Sequence, residues 1–294
     1  MSNRILKITV HNHSVAPAAA EVWITVTPEF RTPTTEVRGR LMGPRCPYAS
    51  TVEVAYPLRP LPPSYTEPLA SPGLTRRVVI PEASLWEPES PFLYEGPVEL
   101  WQDGQRCDRR MVRHGLRTIT LGPRGVLVNG RPLWLRGRDA ESWSEEQIGS
   151  LRAAGDNLLV GPVAPEAAAW WDAADRFGLL VLGRIHQADP MTEKLIAEGI
   201  RHPSCLGWIL EGHAWRQAGP SLLSWLLDRA GESKVGAELD QPPEDTLRPG
   251  IHFLICSNVQ TAQFATSGIP CLLATGDSEP SFGETIIGVV NKRL

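Results

Sequence analysis

The sequence is poor in the features that mark several classes of protein. Its formal net charge over 294 residues is only −4, and no run of basic residues occurs, which argues against nucleic acid as a partner. No apolar stretch approaches the length that spans a membrane. The N-terminal residues, MSNRILKITVHNHS, alternate as a strand does and lack the apolar segment of a signal peptide. We therefore expect no membrane partner and a cytoplasmic location.

Cysteine is sparse and follows no pattern. The chain has five cysteines, and no pair shows the CxxC or cysteine–histidine spacing of a metal site. We expect free thiols in a reducing compartment. The sequence also has no phosphate-binding loop, no metal-ligand cluster and no nucleophile elbow. We therefore expect neither a cofactor nor a metal ion.

The N-terminal part of the chain contains strand signals and no convincing helical period. Proline and glycine punctuate it, and turn-rich segments separate the predicted strands. This pattern predicts an antiparallel β-sandwich over residues 1–120. The predicted strands are Ile5 to His11, Glu21 to Thr27, Ser50 to Ala55, Thr75 to Ile80, Val98 to Gln102 and Arg109 to Arg113.

From Gly125 onwards, strand-like and helix-like segments alternate. The pair Asn129-Gly130 predicts a hairpin turn, Ser144 is a candidate N-cap, and Gly178 is a candidate helix stop. Residues 121–294 contain eight strand candidates, which is the number in a (β/α)8 barrel. Because the region is shorter than the ~250 residues typical of that fold, we predict a compact barrel with trimmed helices. An open, doubly wound sheet is the alternative.

The most informative stretch of this second region is RHPSCLGWILEGHAW, Arg201 to Trp215. Pro203 predicts that a helix ends before it, and the apolar run Cys205 to Leu210 predicts a buried parallel strand. Polar residues follow at Glu211 and His213. The carboxyl ends of parallel strands are where α/β folds place their chemistry, so we expect a functional site here.

This stretch resembles the fourth-strand motif of glycoside hydrolase family 2, which is roughly HPSxxxWSLGNE. A second likeness lies upstream, where LWEPESPFLYEGPVEL and then RHGLRTITL are similar to the end of the immunoglobulin-like domain that precedes the barrel in that family. The resemblance covers roughly residues 70–280. It implies an immunoglobulin-like sandwich followed by a barrel that descends from a retaining β-glycosidase.

The resemblance also implies that the catalytic carboxylates are missing. In the family motif the final Glu is the acid/base, and the same register places His213 there. The family's nucleophile closes strand seven, where the run IPCLLATGD places Thr275. Supporting positions have changed too, with Val160 in place of an arginine and Gly183 and Arg184 in place of an acidic pair. A retaining glycosidase needs two carboxyl groups about 5–5.5 Å apart, so we expect hydrolysis to be lost.

Other side chains at the predicted strand ends are candidates for new roles. Glu211 lies two residues before His213, so a strand would direct both to one face, and an ion pair between Glu211 and Arg184 is the expected structural role. The candidates for relocated catalytic carboxylates are Glu211, Glu238, Asp240 and Asp277. The candidates for ligand binding are Trp143, Trp215, Arg184, Asp139 and His186, while Trp208 is expected in the core.

Three functions are compatible with these residues. The first, which we favour, is a non-catalytic relative of the glycosidases that binds a glycan or a protein partner through the barrel mouth. The second is an active β-glycosidase that uses relocated carboxylates. The third is a structural or assembly protein whose cleft is filled by side chains.

Overall fold

The computed structural model describes residues 3–65, 72–122, 125–239, 248–257, 268–275 and 286–292. The side chains of residues 217, 218, 257, 275 and 292 are not described. The chain divides into two compact units, Met1–Arg117 and Thr118–Leu294. Among the helices in the described ranges, none has the length and apolar character that crossing a membrane requires.

The first unit consists of two antiparallel sheets, with strand orders β1-β2-β5 and β4-β3-β6-β7. The strands are β1 (Ile5–Val15), β2 (Ala19–Pro28), β3 (Glu36–Arg45), β4 (Val54–Pro57), β5 (Leu74–Pro81), β6 (Leu93–Gln102) and β7 (Gln105–His114). The prediction missed β3 and β4 as they occur, since it placed a strand at Ser50 to Ala55 and none over Glu36–Arg45.

The two sheets bury one shared core between them. On β2 the buried side chains alternate, with Val22, Ile24 and Val26 fully covered, because successive residues of a strand point to opposite faces. They join Val98 and Leu100 of the other sheet in a single apolar cluster. The arrangement is sandwich-like, as the alternation in the sequence predicts.

Below this core, Tyr94 ties a loop to the sheet. Its ring is buried, its hydroxyl accepts a hydrogen bond from the backbone N–H of Ser84 at 3.0 Å, and it lies 3.2 Å from the Ser84 carbonyl oxygen, to which it can donate. Burial raises the pKa of Tyr94 to about 12. The hydroxyl therefore stays neutral and can act as donor and acceptor together.

The second unit begins with a small antiparallel sheet of order β10-β9-β8. Its strands are β8 (Ile119–Gly122), β9 (Gly125–Val128) and β10 (Arg131–Leu133). Val128 pairs with Arg131 across the predicted turn, where Asn129 and Gly130 have φ values of 51° and 77°. Asparagine and glycine tolerate this left-handed backbone, so the hairpin forms where the sequence indicates it.

Eight parallel strands then close into a barrel. The pairing Asp139↔Lys292 and its neighbours join the last strand to the first, so the open, doubly wound alternative is wrong. The strands are β11 (Leu135–Asp139), β12 (Leu158–Pro162), β13 (Leu180–Ile185), β14 (Cys205–Leu210), β15 (Lys234–Glu238), β16 (Phe253–Ser257), β17 (Cys271–Thr275) and β18 (Ile286–Lys292).

Four helices lie between the first five barrel strands, and local signals set most of their ends. They are α1 (Glu145–Ala153), α2 (Ala167–Phe177), α3 (Pro190–Gly199) and α4 (Gly212–Ala230). Ser144 caps α1 in a reciprocal capping box with Gln147. Gly178 ends α2 in the left-handed conformation. After β15 a single 3-10 turn covers Arg248–Gly250.

The apolar layer outside the barrel is organised around Trp208, in the middle of β14. The side chain is fully buried, as predicted, and glycines make room for it. A Cβ added at Gly199 would lie 2.5 Å from the Trp208 ring, and one added at Gly183 would lie 2.8 Å from it. Trp171 packs beside it, with ring centroids 5.8 Å apart. Small residues facing a large aromatic ring thus hold β14 against α3.

Candidate functional site at the barrel mouth

The candidate site is a cavity at the carboxyl ends of the barrel strands. Its volume is about 460 Å³, within the range of small-ligand sites. Four strands supply most of its wall, since Asp139 ends β11, Arg184 lies near the end of β13, Glu211 follows β14, and Glu238 ends β15. The lining residues are Asp139, Ala140, Glu141, Ser142, Arg184, Glu211 and Glu238.

Arg184 is the central cation of this cavity. Only 9% of its side chain is exposed, and it forms ion pairs with Asp139 and, at 3.4 Å, with the well-exposed carboxylate of Glu141. Burial lowers the pKa of Arg184, while the charges of Glu211 and Glu238 act in the opposite direction. A buried guanidinium is tolerated where carboxylates surround it, and Asp139 is the closest of these.

Glu211 is held by a different partner. Its Oε2 lies 2.6 Å from Nδ1 of His186, with both side chains partly exposed. The predicted ion pair between Glu211 and Arg184 is therefore wrong in its partner, although the two residues line the same cavity. The sequence gave no signal for this pair, because Glu211 and His186 lie on neighbouring strand ends far apart in the chain.

The predicted relation between Glu211 and His213 is also wrong. The strand β14 ends at Leu210 and α4 begins at Gly212, so His213 lies in the first turn of a helix, where the period-two rule does not hold. Glu211 keeps an extended backbone at the N-cap position, with φ −67° and ψ 144°. His213 is exposed and is not among the residues that line the cavity.

Two of the four candidate carboxylates, Glu211 and Glu238, meet in the cavity. Asp240 and Asp277 lie outside the described residues. Thr275 is the last residue of β17 and pairs in register with Asn291, but its side chain is not described. The position that the family uses for its nucleophile therefore closes a barrel strand, as the resemblance implies.

The tryptophans proposed as ligand contacts differ in their surroundings. Trp143 is buried, and its Nε1 donates to the carbonyl oxygen of Val160 at 3.1 Å. Trp215 is partly buried and packs against the same barrel core. Both rings thus have packing roles in this structure. Neither is among the cavity-lining residues.

Two lining residues, Glu141 and Ser142, were not predicted. They follow β11 directly, in the run LRGRDAES. The rule that strand ends carry the site would have included them, had it been extended two or three residues beyond Asp139. Glu141 matters because it adds a carboxylate near Arg184, and Ser142 matters because it is exposed at the rim.

A second polar cluster lies away from the cavity, before the start of β14. Nδ1 of His202 lies 2.7 Å from Asp175, and the backbone N–H of Ser204 donates to the same carboxylate at 3.0 Å. Burial lowers the pKa of His202, but Asp175 and then Asp172 raise it more, so the pKa is raised overall. The network fixes the His-Pro-Ser turn to α2.

The same three side chains form the group that comes close enough to share a cation within the described ranges. The candidate ligand atoms of Asp172, Asp175 and His202 lie within 4.8 Å of one another. However, Asp175 already accepts two hydrogen bonds, and the raised pKa of His202 favours the protonated ring. A protonated histidine is not a metal ligand, so the arrangement fits an internal hydrogen-bond network.

Comparisons with known proteins give a consistent result. No protein-family model matches the sequence. A Formosa agariphila protein described as "Putative beta-glucuronidase" is 23% identical over 194 residues, which are 55% of this chain and 19% of that protein. The sequence likeness thus reaches one part of a much longer protein.

Solved structures match nearly the whole chain. A glycosyl hydrolase family 2 member from Bacteroides cellulosilyticus has a TM-score of 0.68 at 14% identity, covering 98% of this chain and 44% of that one. Bifidobacterium dentium beta-glucuronidase, solved with coumarin-3-O-glucuronide, has a TM-score of 0.66 at 15% identity, covering 98% and 60%. This chain therefore spans about half the length of these relatives. The predicted resemblance to glycoside hydrolase family 2 is confirmed, and the likeness shows a shared fold.

Proposed function

We propose that this chain is a glycoside hydrolase family 2-like protein that binds a carbohydrate at the barrel mouth and has lost glycoside hydrolysis. A protein partner at the same cleft is the other form of this proposal. The first unit then corresponds to the family's immunoglobulin-like domain and the second to its (β/α)8 barrel. The observation that carries the proposal is a charged cavity of about 460 Å³ at the strand ends, beside a family acid/base position occupied by His213.

The loss of hydrolysis follows from the chemistry that the two changed positions would have to perform. A retaining glycosidase needs one carboxyl group to protonate the leaving group and a second to form the glycosyl intermediate. Acid/base catalysis alone contributes about 10²–10⁴-fold. His213 is exposed on α4 outside the cavity lining, and a threonine at position 275 lacks a carboxylate.

The retained cavity is suited to a ligand with many hydroxyl groups. Arg184 offers N–H donors, and the surrounding carboxylates accept hydrogen bonds from hydroxyls. The ion pair of Arg184 with Asp139 and the pair of Glu211 with His186 hold these groups in place before a ligand arrives. Preorganised polar groups of this kind reduce the ordering cost of binding.

The test is a glycan array combined with an aryl-glycoside hydrolysis screen. Ser142→Trp would place a large ring at the cavity rim, where the native side chain is exposed. Ser224→Trp, at an exposed position on α4, is the matched control. We expect glycan binding in the parent and the control, loss of binding in Ser142→Trp, and no hydrolysis in any of them. Binding that survives equally in both variants would contradict binding at the mouth.

Hydrolysis by relocated carboxylates is the second candidate, because Glu211 and Glu238 line one cavity. Turnover of an aryl β-glycoside that disappears in Glu211→Gln would establish it and refute the loss of catalysis. A protein that neither binds glycans nor hydrolyses glycosides would leave the structural or assembly role. The three outcomes are therefore separated by one pair of assays.

A further inference from the structure

The cavity wall carries an unbalanced charge. Its described lining contains four carboxylates, those of Asp139, Glu141, Glu211 and Glu238, against the single guanidinium of Arg184. This is an excess of three negative charges around a space of about 460 Å³. In a concave, partly desolvated site such an excess attracts cations and repels anions more strongly than on an open surface.

Arg184 does not offer its charge to an incoming anion. It is almost completely buried and already bound to Asp139 and Glu141. An acidic ligand would have to displace one of these carboxylates, leaving it unpaired at the cavity wall, which is costly. The only guanidinium in the lining thus stabilises the wall and leaves the remaining carboxylates in excess.

Other positive groups at the rim do not reverse this balance. His186 lies against Glu211, and Lys292 closes β18 in register with Asp139. Counting both as cations still leaves more carboxylates than cations around the cavity. The N-terminus of α4 adds a partial charge of about one half, next to Glu211, and this is also too small to invert the sign.

We infer that the cavity selects a cationic sugar, an oligosaccharide of 2-amino-2-deoxyhexoses with protonated amino groups, over a neutral or an acidic one. This inference rests on the proposed function, because it assigns the ligand class of the same site. The ammonium groups would lie against Glu211 and Glu238 in charge-assisted hydrogen bonds. The ring hydroxyls would bind the remaining polar groups of the wall.

The experiment is isothermal titration calorimetry of the full chain with three tetramers of matched length. They are a glucosamine tetramer, its N-acetylated counterpart, which has the same rings without the charge, and a galacturonate tetramer, which is acidic. We expect the glucosamine tetramer to bind at least about tenfold more tightly than the N-acetylated one, with no binding of the uronate. Its affinity should fall as salt is raised, because the attraction is screened.

Two variants and one control locate the effect. Glu211→Gln and Glu238→Gln should each weaken glucosamine-tetramer binding about 3- to 10-fold while leaving N-acetylated-tetramer binding nearly unchanged. Glu232→Gln removes the same charge at an exposed position after α4 and should change neither. Circular dichroism establishes that each variant is folded.

The possible failures are distinguishable. Equal or tighter binding of the N-acetylated or galacturonate tetramer would overturn the charge selection and leave carbohydrate binding in place. A preference for glucosamine that is unaffected by both Gln variants would place it elsewhere and overturn the assignment to this cavity. If none of the three tetramers binds, the carbohydrate-binding function fails, and this inference fails with it.

Discussion

At the scale of single residues, hydrogen bonds to one buried hydroxyl stabilise the first unit. The hydroxyl of Tyr94 bonds both backbone polar groups of Ser84, and no other feature of the sequence near Ser84 would reveal this contact. A buried polar group left without a partner costs free energy that water cannot repay. This single side chain therefore anchors a loop whose position matters to the whole sandwich-like unit.

Tyr94→Phe should lower the free energy of unfolding by about 1–3 kcal/mol, measured by urea denaturation. The ring remains to fill the core, so the loss reports the hydrogen bonds alone. Tyr56→Phe is the matched control, since the described residues provide no hydrogen-bond partner for the Tyr56 hydroxyl. It should cost less than about 0.5 kcal/mol. Equal effects of the two substitutions would show that the Ser84 bonds contribute nothing.

The histidine that precedes β14 should make stability depend on pH. The pKa of His202 is raised in the folded protein because Asp175 and Asp172 outweigh the effect of burial. Its stabilising contribution is therefore complete below the unfolded-state pKa of about 6.5 and is lost as the pH rises through the higher folded-state value. The expected result is a free energy of unfolding that falls between about pH 6 and pH 8 for this site.

Comparison of the parent with Asp175→Asn isolates this contribution. The stability difference between the two proteins should be largest at low pH within this window and shrink as the pH rises. His252 has the opposite sign, since burial and then Lys234 lower its pKa, but it is present in both proteins and cancels. A difference that stays constant with pH would show that His202 is not charged in the fold.

At the scale of elements, the contact between neighbouring strands depends on one glycine. Gly207 lies in the middle of β14, where a Cβ would fall 1.9 Å from the backbone oxygen of Lys234 in β15. No real Cβ tolerates that distance, and the obstacle is backbone rather than a mobile side chain. The two strands would have to separate locally to accept any larger residue, and the polar ends of both strands form part of the cavity.

Gly207→Ala should destabilise the barrel by about 3 kcal/mol, the upper part of the range for overpacked sites, measured by thermal or urea unfolding. Gly122→Ala is the control, because a Cβ at Gly122 would meet nothing within 4 Å. That variant should stay within about 0.5 kcal/mol of the parent. A neutral effect at position 207 would mean that the strands separate more easily than the described packing allows.

At the scale of the whole molecule, the site cannot be restored by two residues. His213→Glu with Thr275→Glu returns carboxylates to both family positions. We expect no turnover of activated aryl glycosides, because side chain 213 is exposed on α4 outside the cavity lining, and Val160, Gly183 and Arg184 replace the supporting residues. Catalytic groups must be held within about 0.5 Å of a working geometry.

The assay compares the double variant with the parent on aryl β-glucuronide, β-galactoside and β-mannoside. A lower melting temperature without turnover is the expected outcome, since two more carboxylates would join a rim already rich in negative charge. Turnover close to that of an ordinary family member would show that the rest of the site is intact and that only its two end groups were replaced.

The sequence by itself determined those features that depend on neighbouring residues. The Asn129-Gly130 turn, the Ser144 cap, the Gly178 stop and the apolar strand Cys205–Leu210 all form where the local pattern predicts them. Motif likeness added the family resemblance and the replacement of both catalytic glutamates. These signals survive in one dimension because each arises from the backbone or packing requirements of a few consecutive residues.

Only the tertiary structure decided the features that join distant parts of the chain. Closure of the barrel depends on pairing between β11 and β18, and the alternation of strands and helices fits an open sheet equally well. The partners of Arg184 and Glu211 were settled by which strand ends meet at the rim. The early start of α4 moved His213 off the strand because Gly212 begins a helix directly after Glu211. The physical reason is that ion pairs and strand pairing depend on distances in space, which sequence separation does not fix.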